Sequence, residues 1–166
     1  MRYSQEDVLK YLPHRDPFLF VQEITAINLP EATVKKKHQD RVMEDLLGGT
    51  VYGLTKVNPA HPILAGHFPG HPIFPGVLQI EMVAQVSSFL FSELKSTPLG
   101  TYKIDVALLG VDKARFKRAI LPGMELKVEA TMRKCREWIF FFEGAIFNQD
   151  KKCSECEFMA SLKFVD

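Results

Sequence analysis

The chain has 166 residues, 46% hydrophobic and 25% charged, a composition that supports a globular core and excludes disordered and fibrous classes. Its 21 Lys and Arg nearly cancel its 20 Asp and Glu, so no overall field draws it to nucleic acid. MRYSQEDVLKYL lacks the apolar stretch of a signal peptide and no uncharged run reaches the ~18 residues of a membrane span, which predicts a cytoplasmic protein whose Cys135, Cys153 and Cys156 are reduced.

Ser4, with Asp7 three residues on, predicts a capped helix in SQEDVLKYL that stops before Pro13. FLFVQEITAINL, between Pro17 and Pro30, predicts a first strand, and EATVKKKHQ and TVYGLTKVNP predict two more, joined by DRVMEDLLGG. GHFPGHPIFPG at 66–76 follows as a stiff loop, because its prolines fix φ while its glycines allow close approaches. A helix is predicted over residues 77–95. It is apolar nearly all round, the pattern of a buried helix, and its polar residues Glu81, Gln85, Ser88 and Ser92 fall on one stripe.

From residue 101 the pattern turns to period two. MELKVEATM, after the turn signal at Pro122 and Gly123, alternates apolar and polar residues, and WIFFFEGAIF and ECEFMASLKFV follow with NQDKK as their turn. Together these elements predict a single α+β domain over 1–166, an antiparallel sheet wrapped around one long central helix. CSEC has the spacing of a metal or redox pair. However, a strand offset of three puts Cys153 and Cys156 on opposite faces, and no second pair exists to complete a zinc site.

The chemistry concentrates around the stiff loop. His61, His67 and His71 lie close together, but in a proline-rich loop rather than on a helix, where an i, i+4 offset would put two ligands on one face, so no metal or organic cofactor is expected. Gly76 and Val77 open the buried helix, where backbone N–H groups have no helical partner and the dipole favours negative charge. Glu81 stands one turn on, in apolar surroundings that favour a carboxylic acid able to donate a proton. An imidazole base, an oxyanion-binding helix terminus and a carboxyl acid suit removal of a proton next to a carbonyl with loss of a β-substituent. Spacing alone leaves open whether these groups converge, and whether Gln85 orients Glu81 or is a satisfied core amide.

GHFPGHPIFPGVLQIEMVAQ, with LPHRDPFLFVQEI before it and GVDKARFKRAILPGMEL at 110–126, resembles the 3-hydroxyacyl acyl-carrier-protein dehydratases, the FabZ/FabA-like family of hot-dog fold, and most closely its FabZ type. The resemblance implies dehydration of (3R)-3-hydroxyacyl carrier-protein thioesters to trans-2-enoyl thioesters in fatty acid biosynthesis. It places the catalytic histidine at His67 and the catalytic acid at Glu81, contributed by different protomers of a homodimer or of a trimer of dimers. Gly76 matches the glycine whose N–H binds the thioester carbonyl, and His71 falls where the family varies.

On the same resemblance Phe74 and Phe89 are candidates to line an acyl tunnel. Arg115, Lys117 and Arg118 form a basic cluster, either a docking face for an acyl carrier protein or a solvated surface. The stretch from Lys35 to Gly53 looks longer than the family's usual connection, and NPAHPILAGHF and EMVAQ depart from its common forms. A dehydratase that also isomerises the double bond, or a thioesterase on the same fold, is the alternative activity.

Overall fold

A computed structural model describes residues 2–165. Helix α1 (Gln5–Tyr11) opens as expected: the Asp7 N–H donates to Ser4 Oγ, and Asp7 Oδ2 in turn accepts from the Ser4 N–H. The first strand is shorter than predicted. Only Glu23–Asn28 forms β1, while Phe18 to Gln22 run along the central helix, to which Phe20 and Phe18 are hydrogen-bonded by their backbone.

The strand expected in EATVKKKHQ is absent. Pro30 instead caps a short helix, α2 (Glu31–Val34), followed by 3-10 turns at His38–Asp40 and Met43–Leu46. Specific side chains fix this extension: the Thr33 hydroxyl donates to the Asp45 carbonyl, and Arg41 Nη1 sits 2.8 Å from the buried Glu93 carboxylate. Such local polar contacts compete with strand pairing.

β2 (Thr50–Lys56), β3 (Lys103–Phe116), β4 (Glu125–Arg136), β5 (Ile139–Asn148) and β6 (Lys151–Val165) join β1 in one antiparallel sheet of order β1-β2-β4-β5-β6-β3. The alternation read in MELKVEATM is real, since Leu126, Val128, Ala130 and Met132 all face the core. The helix expected over 77–95 is α4 (Gly76–Ser88), extended by a 3-10 segment at Phe89–Leu94. Ahead of it lies a short helix, α3 (Pro62–Gly66), in a stretch for which the sequence predicted no element.

α4 beds closely into the sheet at two glycines. A Cβ on Gly53 would stand 2.7 Å from Val86 Cγ2, and one on Gly144 would collide with Val83 Cγ1. The sheet therefore wraps the helix at backbone contact distance, which gives the α+β hot-dog architecture.

Cys153 and Cys156 are both buried, contrary to the opposite faces expected of an offset of three. A bulge supplies the reason. The β5–β6 register slips between Ile146↔Ser154 and Phe147↔Lys152, leaving Cys153 as the extra residue, and its carbonyl accepts from the Lys117 and Arg118 N–H groups. Among the described residues no helix is long and apolar enough to cross a membrane.

Candidate active site

The segment from α3 to α4 gives the three histidines His61, His67 and His71 unequal surroundings. His61 caps α3: Nδ1 accepts from the Ile63 N–H at 3.2 Å, and Nε2 donates to the Pro17 carbonyl at 2.8 Å. His71 is exposed and its side chain has no partner among the described residues. His67 is half-buried, with Nδ1 2.8 Å from the Ile73 carbonyl and its ring stacked on Phe68. A carbonyl only accepts, so Nδ1 carries the proton and the neutral ring presents the Nε2 lone pair. His61 and His67 thus serve separate partners, and His71 serves none among the described residues.

Pro75 ends the loop and caps α4. Leu78 and Gln79 donate to its carbonyl, while the Gly76 and Val77 N–H groups have no acceptor among the described residues. The Phe116 ring lies across the helix terminus, so that a Cβ on Gly76 would stand 2.9 Å from its Cε1 and Cζ atoms. Glycine is needed here for close approach. Two free donors at the positive end of a buried helix are suited to an oxygen that gains negative charge.

Glu81, one turn on, is half-buried, its side chain 22% exposed. The buried Gln85 supports it: Gln85 Nε2 donates to Glu81 Oε1 at 2.8 Å and to the Phe18 carbonyl at 2.9 Å, and Gln85 Oε1 accepts from the Phe20 N–H at 2.9 Å. The Phe20 donor fixes which end of the amide faces Glu81. Gln85 is therefore a satisfied core amide and a support for the carboxyl group at once.

A second contact was not anticipated. His14, on the loop after α1, brings Nε2 to 3.2 Å from Glu81 Oε1. Its signal lay in LPHRDPF, but nothing local in that motif points to a residue 67 positions away.

Glu81 and His14 sit at one end of a cavity of about 140 Å³ running along α4 toward Phe91, Phe140 and Phe142, with Val106 to Leu108 of β3 in its wall. Phe89 does not line it; the ring is fully buried against Tyr3 and Tyr11. Phe74 lines a different recess, beside His61 and Phe20. His67 is likewise not among the residues that line the Glu81 cavity.

The basic cluster is partly neutralised. Lys117 Nζ lies 2.6 Å from Glu155 Oε1 and Lys152 Nζ 2.8 Å from Oε2, and these two ammonium groups lower the Glu155 carboxyl to about 2. Arg115 and Arg118 have no acidic partner among the described residues, and both are exposed.

The sequence and the fold have counterparts among known proteins. Residues 12–157 match the FabA-like domain family. The chain is 35% identical over 159 residues to the 3-hydroxyacyl-[acyl-carrier-protein] dehydratase FabZ of Polaromonas naphthalenivorans, covering 95% of this chain and 96% of that protein. It is 32% identical to the FabZ of Hydrogenobaculum sp., covering 95% and 93%. In fold it is similar to the dehydratase heterocomplex ApeI:P from Xenorhabdus doucetiae, with a TM-score of 0.64 and 21% identity over 94% of this chain and 90% of that one.

Proposed function

The chain belongs to the FabA-like family, and from that premise we propose that it dehydrates (3R)-3-hydroxyacyl thioesters carried on an acyl carrier protein to trans-2-enoyl thioesters, in fatty acid biosynthesis in the cytoplasm. The observation that carries this reading is the head of α4. The Gly76 and Val77 N–H groups, unpartnered among the described residues, are followed one turn later by a carboxyl group in the wall of an apolar cavity.

His67 Nε2 removes the C2 proton, and its Nδ1–H bond to Ile73 keeps the ring in the required tautomer. The thioester oxygen takes up the resulting charge at the Gly76 N–H, with Val77 beside it. Glu81 then protonates the 3-hydroxyl as the C3–O bond breaks, and the oxygen leaves as water. The acyl chain lies along α4 toward Phe91 and Phe140. No step calls on a metal or organic cofactor.

His67 and Glu81 of one chain make no contact, so we place them in sites completed by a second copy. The long outer edge of β3 exposes Val106, Leu108, Leu109 and Val111, an unpaired edge of the kind proteins cover. Pairing that edge with its counterpart closes the β3 side of the cavity and forms a homodimer, whatever its higher assembly. Arg115 and Arg118 are the charges left to meet an acidic carrier protein.

The test is product analysis after incubation with 3-hydroxyacyl carrier-protein thioesters. The trans-2-enoyl thioester is expected, with kcat reduced roughly 10²- to 10⁴-fold in His67→Ala and Glu81→Gln. Free thiol without enoyl product identifies a thioesterase instead, and a cis-3-enoyl product identifies an isomerising relative.

A further inference from the structure

His14 is a titratable side chain that the proposed mechanism leaves without a role. It shares the apolar cavity with Glu81, and its Nε2 is 3.2 Å from Glu81 Oε1, the oxygen that also accepts from Gln85 Nε2 at 2.8 Å. Its other nitrogen, Nδ1, is buried with no hydrogen-bond partner among the described residues. The imidazole thus has a single polar contact, and that contact is the carboxyl group of the proposed acid.

The loop is built to hold the ring there. The Arg15 guanidinium donates to the Leu9, Leu12 and His14 carbonyls, tying the end of α1 to the residue that carries the imidazole. Phe18 and Phe20, four and six residues on, fasten the same loop to Gln85. His14 and Gln85 therefore reach Glu81 from one scaffold and converge on one oxygen.

We infer that His14 is a positioning residue that, with Gln85, decides which oxygen of Glu81 delivers the proton; this rests on the dehydratase reading above. A protonated nitrogen facing Glu81 and a bare Nδ1 is the inexpensive arrangement, because a buried N–H without an acceptor costs more than a weakly satisfied lone pair. Oε1 then accepts from two N–H donors and is the oxygen that does not carry the proton. The acid proton resides on Oε2, which has no protein partner among the described residues. It passes to the departing hydroxyl oxygen, which takes the C3–O electron pair and leaves as water. The carboxylate charge left behind is held by the His14 and Gln85 N–H groups, and His14 transfers no proton itself.

Two measurements on the full-length protein test this. In the first, ¹⁵N NMR of the histidine rings reads the pairing without reference to turnover. His14 should be the neutral Nε2–H tautomer, and its resonances should move in Glu81→Ala while those of His71 do not. A protonated Nδ1, or His14 resonances unmoved by Glu81→Ala, overturns the pairing.

In the second, kcat and KM for dehydration are compared in wild type, His14→Leu and His14→Gln, with solvent deuterium exchange at C2 followed in parallel. His14→Leu should lose about tenfold or more in kcat with KM within twofold. It should leave the C2 exchange driven by His67 intact, and His14→Gln, which keeps an N–H at the Nε2 position, should recover most of the loss. A raised KM at unchanged kcat, equal loss in both variants, or a parallel loss of C2 exchange overturns the role. If the wild type forms no enoyl product, the dehydratase reading falls and the role of His14 in it falls too, while the NMR result still decides the pairing.

Discussion

Gln85 Nε2 lies 2.8 Å from Glu81 Oε1, one turn along α4, and the same amide is clamped between the Phe18 carbonyl and the Phe20 N–H. One side chain thus ties the proposed acid to the segment that leads into β1. Replacing it by Leu should lower kcat about tenfold through the loosened carboxyl group. It should also cost roughly 1–3 kcal/mol in urea unfolding, because the Phe20 N–H is left buried and unpaired and the partly buried Phe18 carbonyl loses its donor. An amide that served only the fold would show the second effect without the first.

The closest seat of α4 on the sheet is Gly144 against Val83. A methyl group there meets a short, branched side chain that has no room to retreat, so Gly144→Ala should destabilise by roughly 1–3 kcal/mol. Gly144→Ala combined with Val83→Ala should be less destabilised than the sum of the two single changes, read as non-additive urea midpoints.

Gly76 is confined for a different reason, because the Phe116 ring lies across it. Gly76→Ala should push the ring or the helix terminus aside and cost roughly 10²-fold in kcat, the scale of losing one oxyanion donor. Phe116→Ala in the same chain should restore part of that rate, which steady-state kinetics on the pair of variants would show.

Glu155 is held at about 2 by Lys117 and Lys152, below its usual 4.5. A carboxyl group lowered on folding stabilises the native state in full above about 4.5, and that contribution fades as the pH falls toward 2. Glu155→Gln should therefore melt slightly below wild type at pH 7, by roughly 2 °C for an ion pair this exposed, with the gap closing in acid. A gap of constant size from pH 7 to pH 2 contradicts the pairing.

Much of this architecture could be read from residue order, because its signals are local. The alternation in MELKVEATM and the apolar run after Gly76 marked β4 and α4, and the proline and glycine pattern of 66–76 marked the loop that carries His67. What was missed depends on distant partners. EATVKKKHQ became a helix and turns because Thr33 and Arg41 find acceptors in Asp45 and Glu93. Cys153 turned inward through a bulge set by pairing with β5, and by Lys117 and Arg118 donating to its carbonyl. That the Glu81 cavity meets Phe91 rather than Phe89 was illegible for a similar reason: the two sit two apart on one segment, and only the surrounding sheet decides which of them meets it. His14 is the extreme case, a loop residue whose partner lies on another element altogether.

In the proposed dimer His67 of one protomer works with Glu81 of another, and complementation between two inactive variants reads out that pairing. His67→Ala and Glu81→Gln homodimers should each be nearly inactive. Unfolded together and refolded as a mixture, they should form heterodimers in which one site keeps both groups and the other keeps neither. Enoyl-thioester formation should then recover to about one quarter of the wild-type rate at equal mixing, half of the sites in half of the dimers. A mixture that exchanges subunits and yet remains as inactive as either parent would contradict the shared site.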